Sequence, residues 1–210
     1  MKVDPLSLAL ALVLLWTPIM VFVRQSMRDR LKNPIRNRSA TIGRMLLTPL
    51  NWIDMARAAG GFWVLRELAI TIEPGVTGVG TLVLMVYAGV LAIGVLFQTI
   101  WHDEELIIIG PLFYIAGATV LLVSWQVGLF SILLGVTLAQ MLSRLSWMFT
   151  LVPLLFVVFA KLFSGLGVSL ALAAGLYLLP LLLAIGAQTP VALMHSRSAL
   201  DRVRVPHARM

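Results

Sequence analysis

The 210-residue chain has no cysteine and few charges: nine acidic and 16 basic residues, with three histidines. Without cysteine there is no disulfide, no thiolate metal site and no cysteine nucleophile. A glycine-rich phosphate loop with its lysine, a Gly-x-Ser-x-Gly elbow, a His-Glu-x-x-His helix and paired carboxylates on separate apolar runs are all missing as well. Those absences remove the usual signatures of nucleotide, acyl-transfer and zinc-hydrolase chemistry. Nor is there a convincing internal repeat of the kind secondary transporters often carry.

What the chain has is apolar bulk. Hydrophobic residues make up 60% and charged residues 12%, with a mean hydropathy of +0.98. Globular domains sit near 45–50% apolar and about 25% charged. No water-soluble domain of this size can hide so much apolar surface, which predicts a polytopic membrane protein. Residues 6–23, 76–101, 106–123, 127–142, 147–160 and 162–194 contain no charge. Since about 20 apolar residues cross a bilayer core, the fold class expected is all-α. It is a transmembrane helical bundle of about six spans, with five to seven allowed, in one membrane domain over residues 1–210. The first run, residues 1–23, stays in the mature chain: only Lys2 precedes it, and no small-residue cleavage site comes after it. The bundle proper covers 76–194, and its short joints imply antiparallel neighbours. Ser131, Gly135, Ala139 and Ser143 form one four-residue stripe of small side chains, and Gly165, Ser169 and Ala173, beside Ala171 and Gly175, form another. Such stripes let helices approach closely where lipid supplies no hydrophobic drive. Pro18, Pro111, Pro153 and Pro180 are expected kinks.

The net charge of +7 is concentrated. In the loop 24–48, Arg24, Arg28, Arg30, Lys32, Arg36, Arg38 and Arg44 face one acid, Asp29. The tail 195–210 adds Arg197, Arg202, Arg204 and Arg209 against Asp201. The positive-inside rule makes the loop cytoplasmic and the N-terminus external, in a membrane of the bacterial inner type. The loop is then a contact site for anionic lipid or for other membrane-protein subunits. Nucleic acid is not expected, because no aromatic residues interleave with its charges.

Residues 49–72 are the difficult segment. Thr48-Pro49 starts a helix and Glu73-Pro74-Gly75 stops it, but its helical wheel is not cleanly amphipathic, so the helix is interfacial, partly buried or spanning. Parity bears on this choice: if it crosses, the basic tail shares a side with the basic loop, and if it lies flat, the tail emerges outside. Within it, Asp54 and Arg57 are spaced for an i, i+3 ion pair.

His102, Asp103, Glu104 and Glu105 form the densest ionisable group and a candidate ion, proton or metal site. The competing reading is a solvated turn whose acids cap the next helix. No cofactor is indicated. Haem or pigment ligation by His102 or His195 is disfavoured, because both sit at the ends of runs and not inside them. The function expected is that of a non-enzymatic subunit or scaffold of a larger inner-membrane complex, contacting partners or lipid through the basic loop. The alternative is a small-solute or ion transporter or channel, with Gln98, Gln126, Gln140, Gln188 and the acidic group defining a path. A third class, a lipid-acting enzyme, would use His102 with the neighbouring carboxylates.

Overall fold

The computed structural model describes residues 2–18, 49–71, 79–102, 107–142, 147–163, 165–188 and 191–193. Within them lie seven α-helices: α1 (Pro5–Trp16), α2 (Pro49–Val64), α3 (Val79–Gln98), α4 (Leu112–Leu122), α5 (Trp125–Met141), α6 (Met148–Phe163) and α7 (Val168–Gly186). Short strands join their ends. β1 (Lys2–Val3) pairs antiparallel with β2 (Ile70–Thr71). β3 (Ile100–His102), β4 (Ile107–Gly110) and β5 (Val191–Leu193) form a second sheet, antiparallel between β3 and β4 and parallel between β4 and β5.

Local chemistry sets the helix ends. Asp4 caps α1, accepting from the Ser7 amide at 3.1 Å and from the Ser7 hydroxyl, with Pro5 at the first helical position. Those bonds favour the ionised form and hold the Asp4 carboxyl below its ordinary value. At the other end Thr17, the residue before Pro18, adopts an extended backbone (ψ 118°), as steric conflict with a proline at the next position dictates. The apolar run 6–23 therefore contains a helix of only 12 residues, and residues 19–23 lie outside the described part of the chain.

Two other runs also differ from expectation. Among the described residues, the run 76–101 is helical over Val79–Gln98 and then passes into β3; in the run 106–123, β4 precedes a helix that begins at Leu112. Ile107-Ile108-Ile109 is β-branched and Gly110-Pro111 breaks a helix, so an extended hairpin arm suits that stretch. The next described element after the acids at 103–105 is the strand β4, and the acids themselves lie outside the described residues.

The segment 49–72 is helical to Val64, passes through a π-helical turn at Leu65–Ala69, and finishes in β2. It is partly buried. Asp54, Ala58, Phe62 and Leu65 face inward, while Trp52, Ile53, Trp63 and Leu68 face out. α2 is wedged between α1 and α4. At Gly61 an added Cβ would lie 2.9 Å from the Leu15 side chain, and at Gly117 it would lie 2.2 Å from the Met55 carbonyl. Only glycine allows the second approach.

Successive helices alternate in direction. The start of α1 meets the end of α2 through β1 and β2, and Asp4 N–H donates to the Ala69 carbonyl at 3.0 Å. Trp16 donates to the Val90 carbonyl at 3.0 Å and Gln98 to that of Leu15 at 3.1 Å, so α3 runs with α1. Trp52 meets Phe113, and Gly117 meets Met55, so α4 runs with α2. Gly128 packs on Val120, Gly135 on Val152, and Phe156 on Tyr177, which reverses the chain at each step through α5, α6 and α7. The bundle has two ends. At the first lie the starts of α1, α3, α5 and α7; at the second lie their C-termini, where the chain leaves the described residues after Pro18, Met141–Leu142 and Leu193.

Among the described residues, α3 over Gly80–Gln98 and α7 each give 19 residues with a mean hydropathy of 2.3, long and apolar enough to cross a membrane. α1, α4, α5 and α6 are apolar but shorter. The stripe Ser131, Gly135 and Ala139 is buried against α6, whereas in the other stripe only Ala173 is fully buried and Gly175 faces open space. Ser143 lies outside the described residues.

Candidate functional site

The deepest charges in the described chain are on α2. Asp54 and Arg57, one turn apart, form an ion pair at 2.6 Å between Arg57 Nη2 and Asp54 Oδ1, with a second bond from Nε at 3.2 Å. Their side chains are 9% and 8% exposed, so both charges have left water. Burying two ions is repaid only when the remaining donors are also satisfied. Arg57 meets that condition through α1: Nη1 donates to the Thr17 carbonyl at 2.7 Å and to the Leu14 carbonyl. The Tyr114 ring lies 5.7 Å from the guanidinium carbon, within cation–π range.

The reason these groups meet is the early stop of α1. The last four carbonyls of a helix have no intrahelical partner, and here they end inside the bundle. Val13 accepts from Thr17 N–H, Leu14 from Arg57, and Leu15 from Gln98. The two side chains, from α2 and α3, complete what α1 cannot. The cation also opposes the negative end of the α1 dipole. Gly94 of α3 leaves room for Tyr114, because a Cβ there would fall 2.0 Å from the Tyr114 hydroxyl and 3.1 Å from the Leu15 carbonyl. Gln98 Oε1 and the Tyr114 hydroxyl, both buried, have no hydrogen-bond partner among the described residues. The cluster joins α1, α2, α3 and α4 at the second end, and its guanidinium is committed on three nitrogens.

A second polar feature lies at the first end. Arg66 and Glu67 pair at 3.2 Å with about half of each side chain exposed. Arg66 Nη1 donates to the Leu121 carbonyl at 3.1 Å, and the Tyr87 hydroxyl donates to the Arg66 carbonyl at 3.4 Å. Arg66, Glu67 and Tyr87, with Ile70, Thr81 and Leu84, line an open cleft of about 620 Å³ between the π-helical turn and α3.

Other sequence candidates are not gathered here. Arg24, Arg28, Arg30, Lys32, Arg36, Arg38 and Arg44 lie outside the described residues, as do Asp103, Glu104, Glu105 and His195. His102 ends β3, opposite Ile107 and away from Leu193 in the sheet register. Of the four glutamines, Gln98 is buried, Gln140 and Gln188 are exposed, and Gln126 sits at the opposite end of the bundle from the other three. Among the described residues no three His, Asp or Glu side chains gather as metal ligands.

Sequence reasoning did not find the roles of Thr17 and Tyr114, nor the arrangement of the tryptophans. The six tryptophans sit at helix ends or in a strand: Trp63 and Trp125 at the first end, Trp16, Trp52, Trp101 and Trp147 at the second. Their spacing against the apolar runs is the signal that was available. Comparison with protein-family models, curated proteins and solved structures yields no match for this chain.

Proposed function

We propose that the chain is an integral membrane protein that works through helix–helix and helix–lipid contact, as a non-enzymatic subunit or scaffold of a larger membrane complex. One observation carries the reading: a broad apolar outer surface bounded at both ends by exposed tryptophan. Leu82, Met85, Leu96 and Phe97 of α3, Leu133 of α5, and Leu182 and Ile185 of α7 all stand exposed. Soluble monomers rarely leave contiguous apolar patches beyond a few hundred Å². Trp52, Trp63, Trp125 and Trp147 are 43–60% exposed, which is the placement expected of aromatic belts at the two headgroup levels. Of the shorter helices, α1 is preceded by β1, α2 is extended by the π-helical turn and β2, and α4 is preceded by β4.

Orientation follows from charge. The chain enters loop 24–48, the joint holding Arg144 and the tail from described residues at the second end, while Lys2 and Lys161 stand at the first. With the second end cytoplasmic, in a bacterial-type inner membrane, the basic segments face anionic lipid and the acidic surfaces of partner subunits. The Asp54–Arg57 pair is then a packing device and not a carrier of ions.

The experiment is gentle detergent extraction with identification of whatever co-purifies. Reversing charge at Arg28, Arg30, Arg36 and Arg38 should release the partner while leaving the chain in the membrane fraction. A lone chain that conducts protons or ions in liposomes would favour the transporter alternative.

A further inference from the structure

We propose that the cleft at the first end of the bundle binds the headgroup of a zwitterionic aminophospholipid, with the phosphate against Arg66 and Thr81 and the ammonium against Glu67. The inference rests on the proposed membrane location and names a ligand for a site outside the basic segments. Its ground is charge complementarity. Arg66 and Glu67 lie 3.2 Å apart and are 53% and 49% exposed, so the cleft presents a fixed cation beside a fixed anion. A purely anionic head would be repelled by Glu67, and a purely cationic one by Arg66. A head carrying both charges a few ångströms apart satisfies both.

The guanidinium is aimed as well as charged. Nε is held by Glu67 and Nη1 by the Leu121 carbonyl, and Nη2 has no partner among the described residues. Tyr87, donating to the Arg66 carbonyl, fixes the backbone beneath it. The rest of the wall is apolar, with Ile70 and Leu84 inside the cleft and Leu82 and Met85 exposed on the helix that leads away from it. A polar head is therefore met at the mouth, and an acyl chain finds an apolar helix face directly below. A primary ammonium has three donors for Glu67, and a quaternary one has none.

The test uses the full-length protein in detergent, measuring retention of phosphatidylethanolamine, phosphatidylcholine and phosphatidylglycerol by native mass spectrometry. Phosphatidylethanolamine should be retained about tenfold better than either, the effect of one charge-assisted hydrogen bond. Arg66→Gln should abolish retention of all three at this site, whereas Glu67→Gln should reverse the order in favour of phosphatidylglycerol. Both side chains are half exposed, so thermal unfolding of the variants should match the parent and certify folding. Equal retention of the three lipids, or an unchanged order in Glu67→Gln, would overturn the proposal. Displacement of the lipid by free phosphoethanolamine at equal concentration would also overturn it, because the ligand would then be the soluble head alone. Failure of the chain to stay in alkali-washed membranes would instead defeat the membrane reading, and is scored separately.

Discussion

At the residue scale the structure turns on Arg57. A cation inside an apolar bundle is tolerable only when its donors are engaged, and here four hydrogen bonds to Asp54, Leu14 and Thr17 engage all three guanidinium nitrogens. Removing one partner of a buried pair costs about 3–5 kcal/mol, while replacing both with apolar groups of similar volume is often neutral. Arg57→Ala should therefore destabilise the protein by about that amount, since it strands Asp54 and uncaps α1 together. Asp54→Leu with Arg57→Met should recover only part of the loss, because the Leu14 and Thr17 carbonyls stay unpaired. Denaturant titration in detergent, monitored by tryptophan fluorescence, measures both variants against the parent. Full recovery in the double variant would mean that the α1 carbonyls contribute nothing. The pair itself was legible from i, i+3 spacing, but its partners were not. Thr17 and Tyr114 come from segments 40 and 57 residues distant, and only the early end of α1 explains why a guanidinium is needed there.

At the element scale, close approach governs which helices touch. Among the described residues α4 is the shortest α-helix, at 11 residues, yet it is the principal neighbour of α2. The contact depends on Gly117, whose Cα faces the Met55 backbone with no room for a methyl. Gly117→Ala should push α2 and α4 apart and cost about 1–3 kcal/mol. Gly175→Ala, on the open face of α7, should be neutral or stabilising by about 0.5–1 kcal/mol, the ordinary gain over glycine inside a helix. The contrast, read as a shift in unfolding midpoint, separates packing glycines from incidental ones. Equal effects would refute the assignment. Spacing alone did not separate them, since Gly135 and Gly175 both sit in small-residue stripes and only one faces a helix. Element type was mostly visible in the apolar runs, while boundaries were not. Hydropathy scores Ile107-Ile108-Ile109 the same whether it is helix or strand, and the strand appears because Gly110-Pro111 interrupts the run and β5 supplies a parallel partner.

At the scale of the whole molecule, the proposed membrane topology can be set against the charge count, because the seven described helices alternate in direction. Six passes would send the basic tail to the side opposite the basic loop; with α2 counted as a pass, the chain enters loop 24–48, the joint holding Arg144 and the tail from the same end. On the proposed seven-pass count, the sequence assigns twelve basic residues to the side of the second end against Lys2 and Lys161 on the other, with Arg57 and Arg66 inside α2 and its π-helical turn set aside. Such asymmetry is what orients a membrane chain. The absence of cysteine makes the arrangement directly measurable, because any introduced thiol is the sole label site. Single cysteines at Ser39 and Ser198 should react with a membrane-impermeant maleimide only after the cytoplasmic face is opened, and one at Gly167, exposed at the start of α7, should react in intact cells. Opposite labelling of Ser39 and Ser198 would show that α2 does not cross. Reversal of all three would keep the seven-pass geometry and invert its orientation, so the basic segments would face outward and the partner proposed for them would have to be sought there.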